Sequence, residues 1–116
     1  MKTKFMFLTI VLFLLSLTLA SAEGKIKETQ FKVFGNCGMC KTRIEKAMKI
    51  PEVKFAKWDK TTKMLKVAFV ADAMTQDSLQ MRLAFVGHDT EKFKAADSVY
   101  AALPPCCLYR QGDKTH

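Results

Sequence analysis

The sequence has few of the residues and patterns that several classes of binding site require. Histidine occurs twice among 116 residues, so a closed structural zinc site made of histidine and cysteine would need at least two of its four ligands from the four cysteines. Lysines are numerous but scattered, and no basic block with interleaved aromatic rings marks a nucleic-acid surface. The chain is also too short for two domains of ordinary size, which leaves one small domain to interpret.

The first 22 residues have the pattern of a secretory signal. Lys2 and Lys4 give a basic start, residues 5–19 are almost entirely apolar, and residues 20–22 form an Ala-Ser-Ala cleavage site. An uncleaved membrane anchor is the alternative, but the apolar run is shorter than the roughly 20 residues that span a bilayer. We therefore expect a signal peptide over residues 1–22, cleavage after Ala22, export to the periplasm and no stable membrane span afterwards.

The mature chain is basic. Cleavage lowers the formal net charge from +8 to +6, because Lys2 and Lys4 are lost and every acidic residue follows Ala22. Such a charge suits an acidic protein or an anionic lipid surface, or serves only to keep the surface soluble. Export argues against nucleic acid as the partner. If the charge has a binding role, we expect a protein partner with an acidic docking face.

All four cysteines follow the predicted cleavage site, at Cys37, Cys40, Cys106 and Cys107. An even number in an exported chain is compatible with structural disulfides. However, a domain of this length does not need such staples, and two adjacent cysteines make an awkward disulfide framework. Metal binding or redox chemistry at the Cys-x-x-Cys pair is the better interpretation.

Apolar periodicity predicts a β-α-β-β-α-β order over residues 28–94, after a flexible polar leader at residues 23–27. Strands are predicted at residues 29–33, 53–58, 64–70 and 88–93, and helices from Cys37 to Pro51 and from Thr75 to Gly87. This order is typical of an α+β, ferredoxin-like sandwich. In that fold a four-stranded antiparallel sheet carries two helices on one face.

The remaining residues extend this domain. Residues 95–109 are expected to form a short C-terminal helix followed by an extended Pro-Pro-Cys-Cys stretch, and residues 110–116 a disordered tail. If this helix runs back along the domain, Cys106 or Cys107 can reach the Cys-x-x-Cys pair. We expect at most one of them to join it, because adjacent residues rarely present both sulfurs to one ion. The alternative is that both lie far from the pair.

The predicted topology brings the Cys37 loop, the hairpin at residues 59–62 and His88 to one end of the domain. His88 is therefore a candidate third ligand, or a hydrogen-bond donor beside the site. A simple capping or surface role is the alternative for this histidine. Met39, which lies between the two thiols in sequence, is a further candidate ligand.

Two thiolates favour soft or borderline metal ions. They suit Cu(I), Zn(II), Cd(II) or Hg(II), since sulfur is not a ligand that calcium or magnesium prefers. A site with two or three ligands leaves room for an incoming thiolate. That open position is what the transfer of a metal between proteins requires.

Three segments together resemble the heavy-metal-associated domain family: Phe31 to Met48, Trp58 to Lys63, and Gly87 to Thr90. The family includes copper chaperones, modules of copper-exporting ATPases and periplasmic mercury-binding proteins. The resemblance implies the ferredoxin-like fold and assigns the metal-ligand role to Cys37 and Cys40. It also implies a non-enzymatic protein that captures or relays a soft cation, with Cu(I) favoured, and that has a metal-transport or metal-receiving partner. We expect a monomer.

Two other functions use the same cysteines. A thiol-disulfide redox protein would need the same Cys-x-x-Cys spacing, and an exported compartment supplies oxidants. Against it, no proline precedes a strand in the way that the cis-proline of the thioredoxin fold does. A domain without metal, whose cysteines form structural disulfides, is the third hypothesis.

Overall fold

The structure is a computed structural model that describes residues 24–111. The predicted signal peptide and residues 112–116 lie outside the described residues. Within the described part, no helix is long and apolar enough to cross a membrane. The elements, in chain order, are β1 (Ile26–Lys32), α1 (Gly38–Ala47), β2 (Val53–Trp58), β3 (Met64–Val70), α2 (Gln76–Phe85), α3 (Asp97–Ala101) and a 3-10 turn (Pro105–Cys107).

The strands form an antiparallel sheet in the order β1-β3-β2. Ile26 pairs with Val70 at one end of the β1–β3 ladder, and Trp58 pairs with Leu65 in the β2–β3 ladder. The register of β2 shifts between Val53 and Phe55, as at a β-bulge. The α+β ferredoxin-like class predicted from the sequence is confirmed.

The predicted fourth strand is reduced to one isolated bridge, between Val33 and Thr90, in the described residues. The reason is that this segment turns around Thr90 instead of running straight. The Thr90 amide donates to the Phe93 carbonyl at 2.7 Å, and its hydroxyl donates to Gln80 at 2.8 Å. At the β1 edge, the backbone amide of Lys32 donates a hydrogen bond to the Glu91 carboxylate and not to a fourth strand.

The first strand begins earlier than the polar sequence predicted. The sequence predicts a flexible leader at residues 23–27, but residues 26 and 27 belong to β1. They do so because they pair with Val70 and Phe69 of β3. Backbone hydrogen bonds therefore order a stretch whose side chains remain exposed.

One core joins the sheet and both long helices. Alternate residues of β3 and Phe31 of β1 are buried on one face of the sheet, in one cluster with side chains of α1 and α2. The cluster includes Phe31, Val33, Leu65, Val67, Phe69, Ile44, Met48, Leu79 and Leu83. The alternating pattern in the sequence predicted this face correctly, because period-two burial requires the sheet to be covered on one side.

The C-terminal extension, defined here as residues 95–111, packs on the domain at Gly87. Tyr100 and Leu103 of the extension are buried, and Gly87 has a φ of +104°. A Cβ atom at Gly87 would lie 2.9 Å from the Leu103 side chain. Glycine is therefore required at this position both by the backbone conformation and by the close contact.

We expect Gly87→Ala to destabilise the protein by about 1–3 kcal/mol, since it combines a positive φ with a steric clash. Urea unfolding of the wild type and the variant measures this difference. Gly38→Ala is the matched control, because a Cβ there meets nothing within 4 Å. Equal unfolding midpoints for Gly87→Ala and the wild type would contradict this account of Gly87.

Candidate metal centre

The loop between β1 and α1 rests on the Trp58 ring. The Trp58 indole donates a 2.9 Å hydrogen bond to the Val33 carbonyl, which fixes the ring under the loop. A Cβ at Gly35 would lie 3.0 Å from the Cys40 Cβ and 3.1 Å from the Trp58 ring. The small residue thus lets the loop approach both the tryptophan and the cysteine.

Cys37 and Cys40 occupy the start of α1. Cys37 is the N-cap residue, and its side chain makes no capping hydrogen bond, so the sulfur remains available to other sulfurs. Cys40 lies in the first turn and is fully buried. The two Sγ atoms are 3.5 Å apart, and the Asn36 amide donates to the Cys40 sulfur at 3.4 Å. The predicted pair is therefore brought together at a loop-to-helix junction.

The 3-10 turn brings Cys106 and Cys107 to the same place. The Cys37 sulfur lies 2.8 Å from that of Cys106 and 3.5 Å from that of Cys107. The sulfurs of Cys37, Cys40 and Cys107 all lie within 4.8 Å of one another, and we call them the inner sulfur set. Both late cysteines thus contact Cys37, whereas the sequence predicted that at most one would join the pair. The 3-10 turn that begins at Pro105 places both sulfurs beside Cys37, with Cys107 buried and Cys106 nearer to the solvent.

Met39 and Cys106 lie on the solvent side of this set. The Met39 side chain is 54% exposed, and its sulfur lies 3.5 Å from that of Cys106. Among the described residues, no disulfide joins the four cysteines. The predicted candidate ligand Met39 is thus adjacent to the thiols without belonging to the inner sulfur set.

His88 is buried beside the loop and is not a member of the inner sulfur set. Its Nδ1 atom lies 2.8 Å from the Phe34 carbonyl oxygen, and its ring stacks on Tyr109. Burial lowers the pKa of His88, although the contact with Phe34 opposes this effect. A neutral imidazole that supports the loop and the Tyr109 ring agrees with this position.

Tyr109 and Arg110 hold the C-terminal extension in place. The Tyr109 hydroxyl donates to the Gly87 carbonyl at 2.6 Å and accepts from the Asp89 amide at 2.8 Å. Arg110 donates to both carboxylate oxygens of Asp89, at 2.8 and 3.0 Å, and its guanidinium lies 4.3 Å from the Tyr100 ring centroid. The prediction that Arg110 begins a disordered tail is therefore wrong. The sequence did not reveal this contact, because Asp89 lies 21 positions earlier in the chain.

Sequence reasoning missed Tyr109, Arg110 and Asp89 as residues that position the site. The Arg110–Asp89 pair is half-buried, and its geometry is bidentate, which makes it stronger than an exposed ion pair. The only signal in the sequence was a tyrosine and an arginine directly after the Cys-Cys pair. That signal does not identify their partners, since no regular spacing links them to Asp89.

The pKa values of Cys37 and Cys107 are shifted in opposite directions. Burial raises the pKa of Cys37, but hydrogen bonds with Cys106, the Cys40 amide and Cys107 outweigh this effect and lower it to about 6. Burial, together with the neighbouring Cys40 and Cys37, raises the pKa of Cys107 well above its usual range. Cys37 is therefore a thiolate at neutral pH, and Cys107 is a thiol. The Arg43 guanidinium lies 3.7 Å from the Cys107 sulfur.

The fold and the sulfur cluster define a class: small ferredoxin-like domains with a pair of cysteines where the β1–α1 loop enters the helix. No protein-family model and no curated protein matches the sequence. Solved structures do match, including a CopZ metallochaperone with 21% identity and a TM-score of 0.53, covering 55% of this chain and 98% of that one. The resemblance to the heavy-metal-associated domain is confirmed at the level of the fold.

Two further structures have the same fold. A mutant of ZiaAN is 26% identical with a TM-score of 0.50, covering 57% of this chain and 96% of its own. A copper form of a CopA variant from Bacillus subtilis is 24% identical with a TM-score of 0.50, covering 59% and 92%. The matches therefore span nearly the whole of each solved domain but little more than half of this longer chain.

We expect Arg110→Gln to lower the free energy of unfolding at pH 7 by about 2 kcal/mol, because it removes a half-buried charged pair. Burial raises the pKa of Asp89, but hydrogen bonds from Arg110 and the Ala95 amide outweigh this and leave it below its usual range. The pair therefore stabilises fully above the unfolded pKa of about 4, and its contribution is lost as the pH falls through the lower folded pKa.

Chemical denaturation of the wild type and Arg110→Gln at neutral and acidic pH measures this effect, and the difference should shrink in acid. Lys92→Gln is the control, since its ion pair with Asp77 is exposed and should contribute little. A difference between wild type and Arg110→Gln that persists unchanged at the lowest pH would contradict a role for the Asp89 charge.

Proposed function

We propose that the protein captures or relays a soft cation, with Cu(I) favoured, through Cys37 and Cys40, with Cys107 as a third thiolate. The supporting observation is the inner sulfur set, whose atoms lie within 4.8 Å of one another. An ion about 2.3 Å from three sulfurs in a triangle separates them by about 4 Å. The sulfurs are thus close to the spacing that one soft ion requires, and only small movements would complete it.

The donor chemistry supports a soft ion over a hard one. The set contains sulfur alone, and thiolate sulfur selects Cu(I), Zn(II), Cd(II) or Hg(II) rather than Mg²⁺ or Ca²⁺. Cys37 is already ionised at neutral pH, whereas Cys40 and Cys107 are buried. Binding would therefore begin at Cys37, and the Cys107 proton would leave as its bond to the ion forms. Arg43, 3.7 Å from the Cys107 sulfur, would offset the negative charge that develops there.

Transfer would occur by ligand exchange, without a catalytic step. A thiolate of a metal-transport or metal-receiving protein would enter beside Cys37 before another bond to the ion breaks. Basic side chains on α1 near the site, Lys41, Arg43 and Lys46, would suit an acidic docking face on that partner. We propose a monomer that acts as a carrier and not as an enzyme. The metallochaperone among the matching structures supports this assignment.

We also propose that the protein acts outside the cytoplasm, after cleavage behind Ala22. The basic start, the apolar run and the Ala-Ser-Ala site of residues 1–22 support this. N-terminal sequencing of the protein isolated from its native compartment should begin at Glu23. A native protein that still starts at Met1 would contradict cleavage.

Thiol-disulfide exchange is the second candidate function, and the lowered pKa of Cys37 favours it. A thiolate near neutral pH is a good nucleophile, and the Cys106 sulfur is 2.8 Å away. Turnover of insulin disulfides by the reduced protein tests this function. We expect no turnover above the background rate of the reductant alone.

The main test is competition for Cu(I) against a chelator of known affinity, under anaerobic and reducing conditions. We expect Cys37→Ser, Cys40→Ser and Cys107→Ser each to weaken Cu(I) binding by about tenfold or more, since each removes a thiolate from the ion. X-ray absorption should show three sulfur ligands in the wild type and two in Cys107→Ser.

Cys106→Ser is the matched control, because it changes the adjacent sulfur outside the inner sulfur set. Its Cu(I) affinity should stay within about threefold of the wild type. Tight binding that is unchanged in both Cys37→Ser and Cys40→Ser would refute the proposed function. Unchanged binding in Cys107→Ser alone would refute only the third ligand.

A further inference from the structure

A second group of sulfurs lies between the inner sulfur set and the solvent. The Cys106 sulfur is 2.8 Å from that of Cys37 and 3.5 Å from that of Met39. We call Met39, Cys106 and Cys37 the outer sulfur set. The residues of the two sets become more buried from the surface inward. Met39 is 54% exposed, Cys106 and Cys37 are half-buried, and Cys40 and Cys107 are fully buried.

We propose that the outer sulfur set is an entry and exit position for the soft ion, which passes to the inner sulfur set around the shared Cys37 sulfur. This inference rests on the proposed function. It follows from the arrangement of the donors, since an ion approaching from solvent meets Met39 and Cys106 before it can reach Cys40 or Cys107. The sulfur of Cys37 contacts both groups and does not have to be released during the passage.

The outer sulfur set binds a soft ion more weakly than the inner sulfur set, as an entry position requires. A thioether is a soft but uncharged ligand, so Met39 binds Cu(I) or Ag(I) more weakly than a thiolate does. The inner sulfur set offers three thiolates once the protons of its thiols have left. The ion is therefore held loosely at the outer position and tightly at the inner one, and the difference drives it inward.

The steps conserve charge and oxidation state. Cu(I) first bonds to the Met39 sulfur and to the thiolates of Cys106 and Cys37, and the Cys106 proton passes to water. Bonds to Cys40 and Cys107 then form as those to Met39 and Cys106 break. The thiol protons of the inner set leave to water, and Cys106 takes up a proton again. Copper stays in the +1 state throughout, so no oxidant or reductant is needed.

The surroundings give space for a donor molecule. A groove of about 610 Å³ borders Met39 and is lined by Gly38, Thr42, Arg43, Lys46, Ala47 and Val86. The Cys37 and Cys106 sulfurs must separate from 2.8 Å to about 4 Å to share an ion. Cys106 lies in a short 3-10 turn of the extension, so the movement involves one turn and leaves α1 in place.

The test measures how fast the purified full chain removes Cu(I) from a coloured Cu(I)–bicinchoninate complex in anaerobic stopped-flow experiments. The variants are Met39→Leu, which keeps the volume and removes the sulfur, and Cys106→Ser. We expect each to slow Cu(I) uptake by about fivefold or more, while the equilibrium affinity stays within about threefold of the wild type. In the reverse direction, both variants should also release Cu(I) to an excess of bicinchoninate more slowly than the wild type does.

Met81→Leu is the matched control, because Met81 is 43% exposed on α2 and does not belong to either sulfur set. Uptake rates of Met39→Leu and Cys106→Ser equal to the wild-type rate would overturn the proposal, as would an equal slowing by Met81→Leu. A loss of affinity in Cys106→Ser as large as its loss of rate would make Cys106 a permanent ligand, which also overturns it.

The outcomes separate this inference from the proposed function. A wild-type chain that takes no Cu(I) from the chelator contradicts both. A wild type that binds Cu(I) through Cys37 and Cys40, with normal uptake in Met39→Leu and Cys106→Ser, contradicts the outer position alone.

Discussion

The arrangement of the sulfurs depends on the contact between Arg110 and Asp89. Asp89 follows α2 on the domain, and Arg110 lies at the end of the C-terminal extension, three residues after Cys107. The bidentate pair and the Tyr109 hydroxyl close the extension against the domain at Gly87. The Arg110 guanidinium also lies over the Tyr100 ring, so the same contacts cover a buried residue of the extension. The charged pair and the Tyr109 hydroxyl thus hold the segment that carries Cys106 and Cys107 against the domain.

Electrostatics limits how many of these thiols can be ionised before an ion arrives. Cys37 is a thiolate at neutral pH, and its negative charge is one cause of the raised pKa of Cys106, after the hydrogen bond between them and burial. For Cys107 the main cause is burial. Several anions within a few ångströms would repel one another strongly, and a bound cation would offset this repulsion. Under the proposed function, binding would therefore begin at the Cys37 sulfur, and the Cys107 proton would leave only as the ion binds.

A third thiolate changes the balance between holding and releasing an ion. An ion held by two sulfurs has a free coordination position that a partner's thiolate can occupy. A third, buried sulfur fills part of that space and makes the ion harder to remove. The outer sulfur set would restore exchange, because it offers an exposed position that shares Cys37. The matched solved structures cover 55–59% of this chain, a share close to that of residues 28–94. Under the proposed function, the C-terminal extension is the part of this protein that would turn a site with two cysteines into one with three, because it carries Cys107.

The sequence predicted most of the fold, because alternating apolar residues at Phe31, Val33, Leu65, Val67 and Phe69 leave only one face of the sheet to bury. It predicted less well at residues 88–93. There the Thr90 amide donates to the Phe93 carbonyl within a turn, so the pairing is limited to the Val33–Thr90 bridge, and local propensity does not predict that turn.

The sequence by itself determined the proximity of Cys37 and Cys40, since a three-residue spacing at a helix start brings two sulfurs together in any such fold. Only the tertiary structure decided that Cys107 completes the inner sulfur set, that Met39 and Cys106 flank it, and that His88 stays outside it. The physical reason is distance along the chain. Contacts between residues about 70 positions apart depend on how the extension docks, and that docking rests on Tyr109 and Arg110, whose partners no local pattern reveals.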